Sequence, residues 1–253
     1  MELIDTHAHL EDVKDLRGVI KRAVNVGVIA VIAVGSNYES NMWVLRESQK
    51  YGTRKLKIYP ALGIHPWGLD VSKINKTIDL IEENINNIVA LGEVGLDYWY
   101  KEARRKEDVK EIQREVFWRI LDLARKNKKP VSIHSRGAWM DCVNMTIEAG
   151  VKNAVFHWFS GPLDALKKLL DHGYYISATP AATYSKEHRK VIEKTLLENI
   201  ILETDTPVVY AGETSEPAHI IKALNAVAEL IGEKVETVAE KTTENAKKIF
   251  GIN

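Results

Sequence analysis

The chain has 253 residues, 45% hydrophobic and 28% charged, and its 35 Lys and Arg offset 35 Asp and Glu to a formal net charge of zero. This length suits one large α/β barrel or two ordinary domains, and the ordinary charged content excludes a disordered chain. Zero net charge excludes strong whole-molecule attraction to nucleic acid or an anionic membrane, leaving only local basic patches for either.

In chain order, short β-branched apolar runs alternate with longer amphipathic segments. Leu3–Thr6 predicts a first strand and Asp12–Val26 the helix after it. The pattern repeats as Val28–Gly35 then Glu39–Tyr51, Lys57–Ile64 then Ser72–Asn84, and Ile88–Leu96 then Asp108–Asn127. It continues as Pro130–His134 then Gly137–Ala149, and Ala154–Trp158 then Leu163–His172. Tyr174–Ala178 then Ser185–Leu196, and Ile200–Thr204 then Glu216–Ile231, complete it. The runs are too short for ordinary helices and are bounded by Gly, Pro or polar residues. Eight such units predict an α/β protein, a (β/α)8 TIM barrel spanning residues 1–253 as a single domain. Lys234–Phe250 is one extra C-terminal helix. No glycine-rich dinucleotide turn follows the first strand, which counts against a doubly wound sheet.

The start, MELIDTHAHL, lacks the basic and apolar regions of a secretory signal, and the longest apolar stretch, Val26–Gly35, is too short for a membrane span. The lone Cys142 permits neither an intrachain disulfide nor a Cys-rich zinc site. The expectation is a cytoplasmic protein with no membrane and no obligate protein partner.

Five of the eight histidines, His7, His9, His65, His134 and His157, fall at predicted strand ends, with Glu93 in the fourth strand and Asp205 after the eighth. In a barrel these ends meet at the C-terminal mouth, where catalytic groups collect. Strand alternation puts His7 and His9 on one face. Neutral imidazole and carboxylate suit Zn, Mn, Co or Ni, whereas Mg prefers oxygen and water. Two such ions need a shared anionic bridge, and a glutamate within the set can supply one.

The ordered motifs are Asp5-Thr6-His7-Ala8-His9-Leu10, Gly63-Ile64-His65-Pro66, Gly92-Glu93-Val94-Gly95-Leu96-Asp97-Tyr98 and Gln113-x-x-x-Phe117. Ile133-His134-Ser135-Arg136, His157-Trp158-Phe159-Ser160-Gly161 and Leu202-Glu203-Thr204-Asp205-Thr206-Pro207 follow. With these the chain resembles, over essentially its whole length, the TatD-like metal-dependent deoxyribonucleases within the amidohydrolase-type barrels. The resemblance implies two divalent metal ions. His7, His9, Glu93 and Asp205 would hold one, and Glu93, His134 and His157 the other, with Glu93 as bridge and Asp205 as proton acceptor for the attacking water. The chain departs from the family at Ser215-Glu216-Pro217 and Ser177-Ala178-Thr179-Pro180, which bears on substrate preference rather than metal binding.

Other residues are read more openly. His65 suits a phosphate contact or the orientation of a ligand, against simple packing before Pro66. Glu203 and Asp5 are each candidates to orient a ligand histidine or to line the barrel. Arg136 fits a phosphate oxygen or a salt bridge to Asp97. Trp67, Tyr98, Trp99, Tyr100, Trp158, Tyr184 and Tyr210 crowd the loops after the strands, with Lys101, Arg104, Arg105 and Lys106 following strand 4. Two functions compete: a two-metal nuclease acting on DNA from an end or on a single strand, and a metal-dependent amidohydrolase or lactonase acting on a small molecule.

Overall fold

The computed structural model describes residues 1–253. Eight parallel strands hydrogen-bond in sequence order: β1 Leu3–Ala8, β2 Val28–Val34, β3 Lys57–Ile64, β4 Ala90–Gly95, β5 Val131–His134, β6 Ala154–Phe156, β7 Tyr175–Ala178 and β8 Ile200–Leu202. The sheet closes on itself where Ala8 bridges Thr206, Asp205 N–H donates to His7 O at 3.0 Å and His9 N–H donates to Thr206 O at 2.7 Å. This is the predicted (β/α)8 barrel. Its outer helices are α1 Leu16–Asn25, α2 Tyr38–Arg46, α3 Val71–Glu83, α4 Glu107–Asn127, α5 Trp139–Glu148, α6 Leu163–Asp171, α7 Lys186–Glu193 and α8 Ile220–Ile231, with α9 Val235–Phe250 last. No helix is long and apolar enough to cross a membrane.

Two buried clusters divide the apolar residues. The larger lies between strands and helices, and the smaller fills the barrel axis with Ile4, Ala30, Ile32, Val155 and Ile201. The extra C-terminal helix has a definite task here. Ala246, Ile249, Phe250 and the following Ile252 join the axial cluster, so α9 plugs the end opposite the mouth. Asn245 Nδ2 fastens it by donating to Leu197 O and Ile200 O, each at 2.8 Å.

Strand alternation alone does not aim the functional groups. Ile4 belongs to the axial cluster, so His7, three residues later, should face outward. The register of β1 against β2 slips between Asp5 and Ala8 and reverses the parity. In β4 the same happens: Ala90 is axial, and the register slips between Leu91 and Val94, around Glu93. Such irregularities re-aim a side chain at the cost of local pairing. Gly63 leaves room for the displaced β4 backbone, because a Cβ there would collide with the Glu93 carbonyl.

The loop after β8 holds an unpredicted hairpin, β9 Val209–Tyr210 with β10 Glu213–Thr214. Ala211 and Gly212 take positive φ at its turn (49° and 88°), as a two-residue hairpin requires. Asp5 proves to be a barrel staple: its carboxylate accepts from Thr204 N at 2.9 Å and Thr204 Oγ1 at 2.6 Å, joining β1 to the end of β8.

His188 on α7 ties two mouth loops together. Its Nε2 accepts from Thr179 N–H at 3.2 Å, so Nδ1 carries the proton and donates to Phe159 O at 2.9 Å. Burial pushes its pKa down to about 4 from the ordinary 6.5. The unfolded chain therefore binds the proton first on acidification. The stability this neutral histidine preserves is full above pH 6.5 and drains as pH falls toward 4. In urea unfolding at pH 7 and pH 4.5, His188→Gln should lose roughly 2–3 kcal/mol less than wild type between the two conditions. Equal losses would remove His188 from the acid limb.

Candidate active site

All seven residues singled out as ligands or as the His65 contact converge at the C-terminal ends of the strands. His7 Nε2 and His9 Nε2 lie 3.3 Å apart, and each is 3.4 Å from Glu93 Oε2 and 3.8 Å from Asp205 Oδ1. On the other side, Glu93 Oε1 is 2.7 Å from His134 Nδ1 and 3.7 Å from His157 Nε2. His157 Nε2 also lies 3.5 Å from Asp205 Oδ2. The two oxygens of one carboxylate thus serve two different imidazole sets.

The surrounding hydrogen bonds decide which ring nitrogens are free. His9 Nδ1 donates to Val34 O (3.1 Å), leaving the Nε2 lone pair aimed inward. His7 Nδ1 meets Ser132 Oγ at 3.3 Å, which anchors the ring with Nε2 toward the centre. His134 Nε2 donates to Asp97 Oδ2 at 2.8 Å, so its Nδ1 faces Glu93. His157 Nδ1 lies 2.7 Å from Glu203 Oε1, although without the alignment of a hydrogen bond, and Glu203 also accepts from Trp158 N–H. Carboxylate and carbonyl partners of this kind orient metal-binding histidines and raise their basicity.

His65 differs. Its Nε2 sits 3.4 Å from Glu93 Oε1, close enough to be grouped with Glu93 and His134 as a possible ligand. Yet Trp67 N–H donates to His65 Nδ1 at 3.1 Å, so the neutral ring carries its proton on Nε2. A nitrogen holding a proton donates hydrogen bonds and does not ligate. His65 therefore faces the site as a donor.

In the sequence Asp97 stands within the Gly92–Tyr98 motif, with an ion pair to Arg136 as its one expected contact. It is the hub of the mouth. Beyond His134 it accepts from Trp67 Nε1 at 2.7 Å and from the backbone of Trp99 and Tyr100 at 2.9 and 2.8 Å. Gln113 holds it in turn, accepting from Asp97 N–H and donating to Pro66 O. Arg136 reaches Asp97 only at 3.9 Å and is half exposed, with its guanidinium 5.9 Å from the ring centres of both Trp67 and Trp99. At the sequence departure Ser215-Glu216-Pro217, Ser215 Oγ donates to Thr204 O at 3.1 Å, beside Asp205. Glu216 grips Arg22 of α1 through both carboxylate oxygens, at 2.7 and 2.9 Å.

Glu93 and Asp205 are almost fully buried, and no Lys or Arg pairs with either. Burial pushes both carboxyls upward, but the imidazoles outweigh it. His65, His157 and His134 hold Glu93 well below the usual carboxylate range, and His157, His7 and His9 hold Asp205 down. Two buried anions ringed by imidazole nitrogens form a donor set in which a divalent cation can replace the positive charge that the protonated rings supply. Above them opens a cavity of about 610 Å³, lined by Trp67, Trp99, Trp139 and Trp158 together with Arg136.

The family model described as TatD related DNase matches residues 4–251. This chain belongs to the TatD family. It is 30% identical to human deoxyribonuclease TATDN3 over 98% of this chain and 94% of that protein. It is 31% identical to the Bacillus subtilis metal-dependent hydrolase YabD over 99% of this chain and all of that one. The crystal structure of YJJV, a TatD homolog from Escherichia coli, superposes with a TM-score of 0.87 at 26% identity, covering 99% of this chain and 98% of that one. The chain is accordingly a TatD-family metal-dependent hydrolase.

Proposed function

We propose that this hydrolase is a deoxyribonuclease that cuts phosphodiester bonds with two divalent ions, preferring single strands or strand ends. One observation carries the reading: Glu93 divides its two oxygens between separate imidazole sets beneath a mouth walled with indoles. His7, His9, Glu93 and Asp205 would hold one ion, and Glu93, His134 and His157 the other. Zn, Mn, Co and Ni suit these donors, with Mg more weakly matched. When bound, such ions lower the pKa of water and neutralise charge developing on the attacked ester.

The chain's own residues supply the remainder. Asp205, ionised and facing the centre, takes the proton of the attacking water. His65 offers its Nε2–H, and Arg136 its planar guanidinium, to phosphate oxygens at the rim. Exposed Trp67 and Trp99 (46% and 52%) give unpaired bases a surface on which to stack, worth roughly 1–3 kcal/mol per base without reading sequence. A duplex hides those faces, hence the single-strand preference. The name of the human relative, a deoxyribonuclease, supports DNA as the substrate.

The test is a screen with added Mn²⁺ or Mg²⁺ on single-stranded DNA, duplex DNA, and small amides and lactones. Cleavage of the single strand that stops with chelator and returns with metal is expected. Hydrolysis of an amide or lactone with DNA left intact would replace this reading with the small-molecule one.

A further inference from the structure

The turn from β5 into α5, Ser135–Ala138, follows directly on His134, and most of its backbone donors are free. Ala138 N–H reaches Ser135 O at 3.0 Å and closes the turn. The amides of Ser135, Arg136, Gly137, Trp139 and Met140 meet no acceptor in the protein, and no side chain caps α5. Strand-to-helix turns lie at the mouth of such a barrel, so this uncapped end adds its partial positive charge there.

The deciding residue is Ser135. It is only 4% exposed, it lines the mouth cavity, and its hydroxyl makes no hydrogen bond to the protein. The sealed polar side-chain atoms without a partner are Glu11 Oε2, His157 Nδ1 and Tyr210 Oη, so the Ser135 hydroxyl is not sealed. It opens into the cavity with its donor unused, and a buried polar group of this kind calls for a partner from the cavity side. Arg136 and Trp139 line the cavity beside it. The acids nearby are otherwise engaged. Asp97 stands 3.9 Å from the Arg136 guanidinium and is held by His134 at 2.8 Å, while Asp141 in the first turn of α5 accepts from Tyr98 OH at 3.0 Å. Gly137, at φ 71°, packs so closely against Trp99 that a Cβ would collide with the indole, which fixes the turn. Successive free amides, a hydroxyl and a guanidinium are the groups that surround a phosphate.

We propose that Ser135, Arg136 and the open start of α5 form a second phosphate subsite, which holds the phosphate next to the one being cut. The inference rests on the nuclease reading. Consecutive Cα atoms are about 3.8 Å apart, so the subsite begins within one nucleotide of His134. A substrate whose only phosphate is the scissile one cannot use it, whereas one with a flanking phosphate can.

The experiment compares metal-loaded wild type and Ser135→Ala on a dinucleoside monophosphate, on the same dinucleotide with a terminal phosphate at its 5′ or 3′ end, and on a trinucleotide. Wild type should favour a second phosphate on one side by roughly tenfold or more in kcat/KM, the scale of a hydrogen bond to a charged partner. Ser135→Ala should lose most of that preference, through KM rather than kcat. Its melting temperature should not fall, because the hydroxyl binds nothing in the protein. The pattern with either a terminal or an internal second phosphate supports the subsite, and confinement to the terminal one marks it as a reader of strand ends. No preference in the wild type, or an equal fall on every substrate in Ser135→Ala, overturns the subsite while leaving the nuclease intact. If wild-type protein cuts neither these substrates nor a longer single strand, the nuclease reading fails first and the subsite falls with it.

Discussion

Asp205→Asn should fold, keep most of its metal and lose turnover by roughly 10²–10⁴-fold, the range for removal of a general base. The backbone should tolerate the change. Asp205 sits at φ 49°, in the left-handed region where asparagine is among the few residues at ease. Oδ1 lies 3.8 Å from each of His7 and His9 and Oδ2 lies 3.5 Å from His157, so the side chain reaches both halves of the site. Burial pushes its carboxyl upward, yet His157, His7 and His9 hold it below the usual range, and it is ionised at neutral pH. The amide is nearly isosteric but cannot take a proton. Turnover at saturating metal, measured beside metal content by elemental analysis, separates the roles. Turnover near wild type would remove Asp205 as base, whereas a parallel loss of metal would make it chiefly a ligand.

The strands and the gathering of histidines and carboxylates at their ends were legible because each signal is local. An apolar run such as Val28–Val34 needs only its own residues to declare itself, and five histidines at strand ends declare the mouth. The aim of those residues was not legible. The register slips that turn His7 and Glu93 inward depend on contacts across strands, including the close pass of Gly63 against the Glu93 carbonyl. Asp97 was visible in a motif, but its role follows from His134, far along the chain. The hairpin β9–β10 escaped because its turn reads Ala211-Gly212, lacking the Asn or Asp that marks such turns.

In the sequence, Trp99, Tyr100, Lys101, Arg104 and Arg105 stand together in the loop after β4. Folding brings Trp99 to the mouth cavity and leaves those cations out of its lining, with Arg136 taking their place.

The second large effect is expected at the bridge. Glu93→Gln should weaken both metal sites at once, by more than the 10–100-fold typical of losing an outer-layer partner. Its Oε2 faces His7 and His9, while its Oε1 faces His134 and His157, so no single-oxygen substitute can serve both sets. Glutamine keeps the shape but replaces one oxygen with an NH₂ group, whose hydrogens point at lone pairs and would repel a cation. Either rotamer spoils one set outright. The other loses the anionic charge that compensated its ion, and in a residue only 2% exposed little water can make this good. His9→Ala is the contrasting control, since that ring meets Glu93 only at Oε2 and should weaken one ion alone. Calorimetric titration with Mn²⁺ into metal-stripped protein should therefore give two strong events for wild type, one strong event for His9→Ala and none of comparable strength for Glu93→Gln. Unchanged stoichiometry and affinity in Glu93→Gln would take the carboxylate out of the bridge. Loss of one event only would mean that the two imidazole sets bind their ions independently, with Glu93 belonging to a single set.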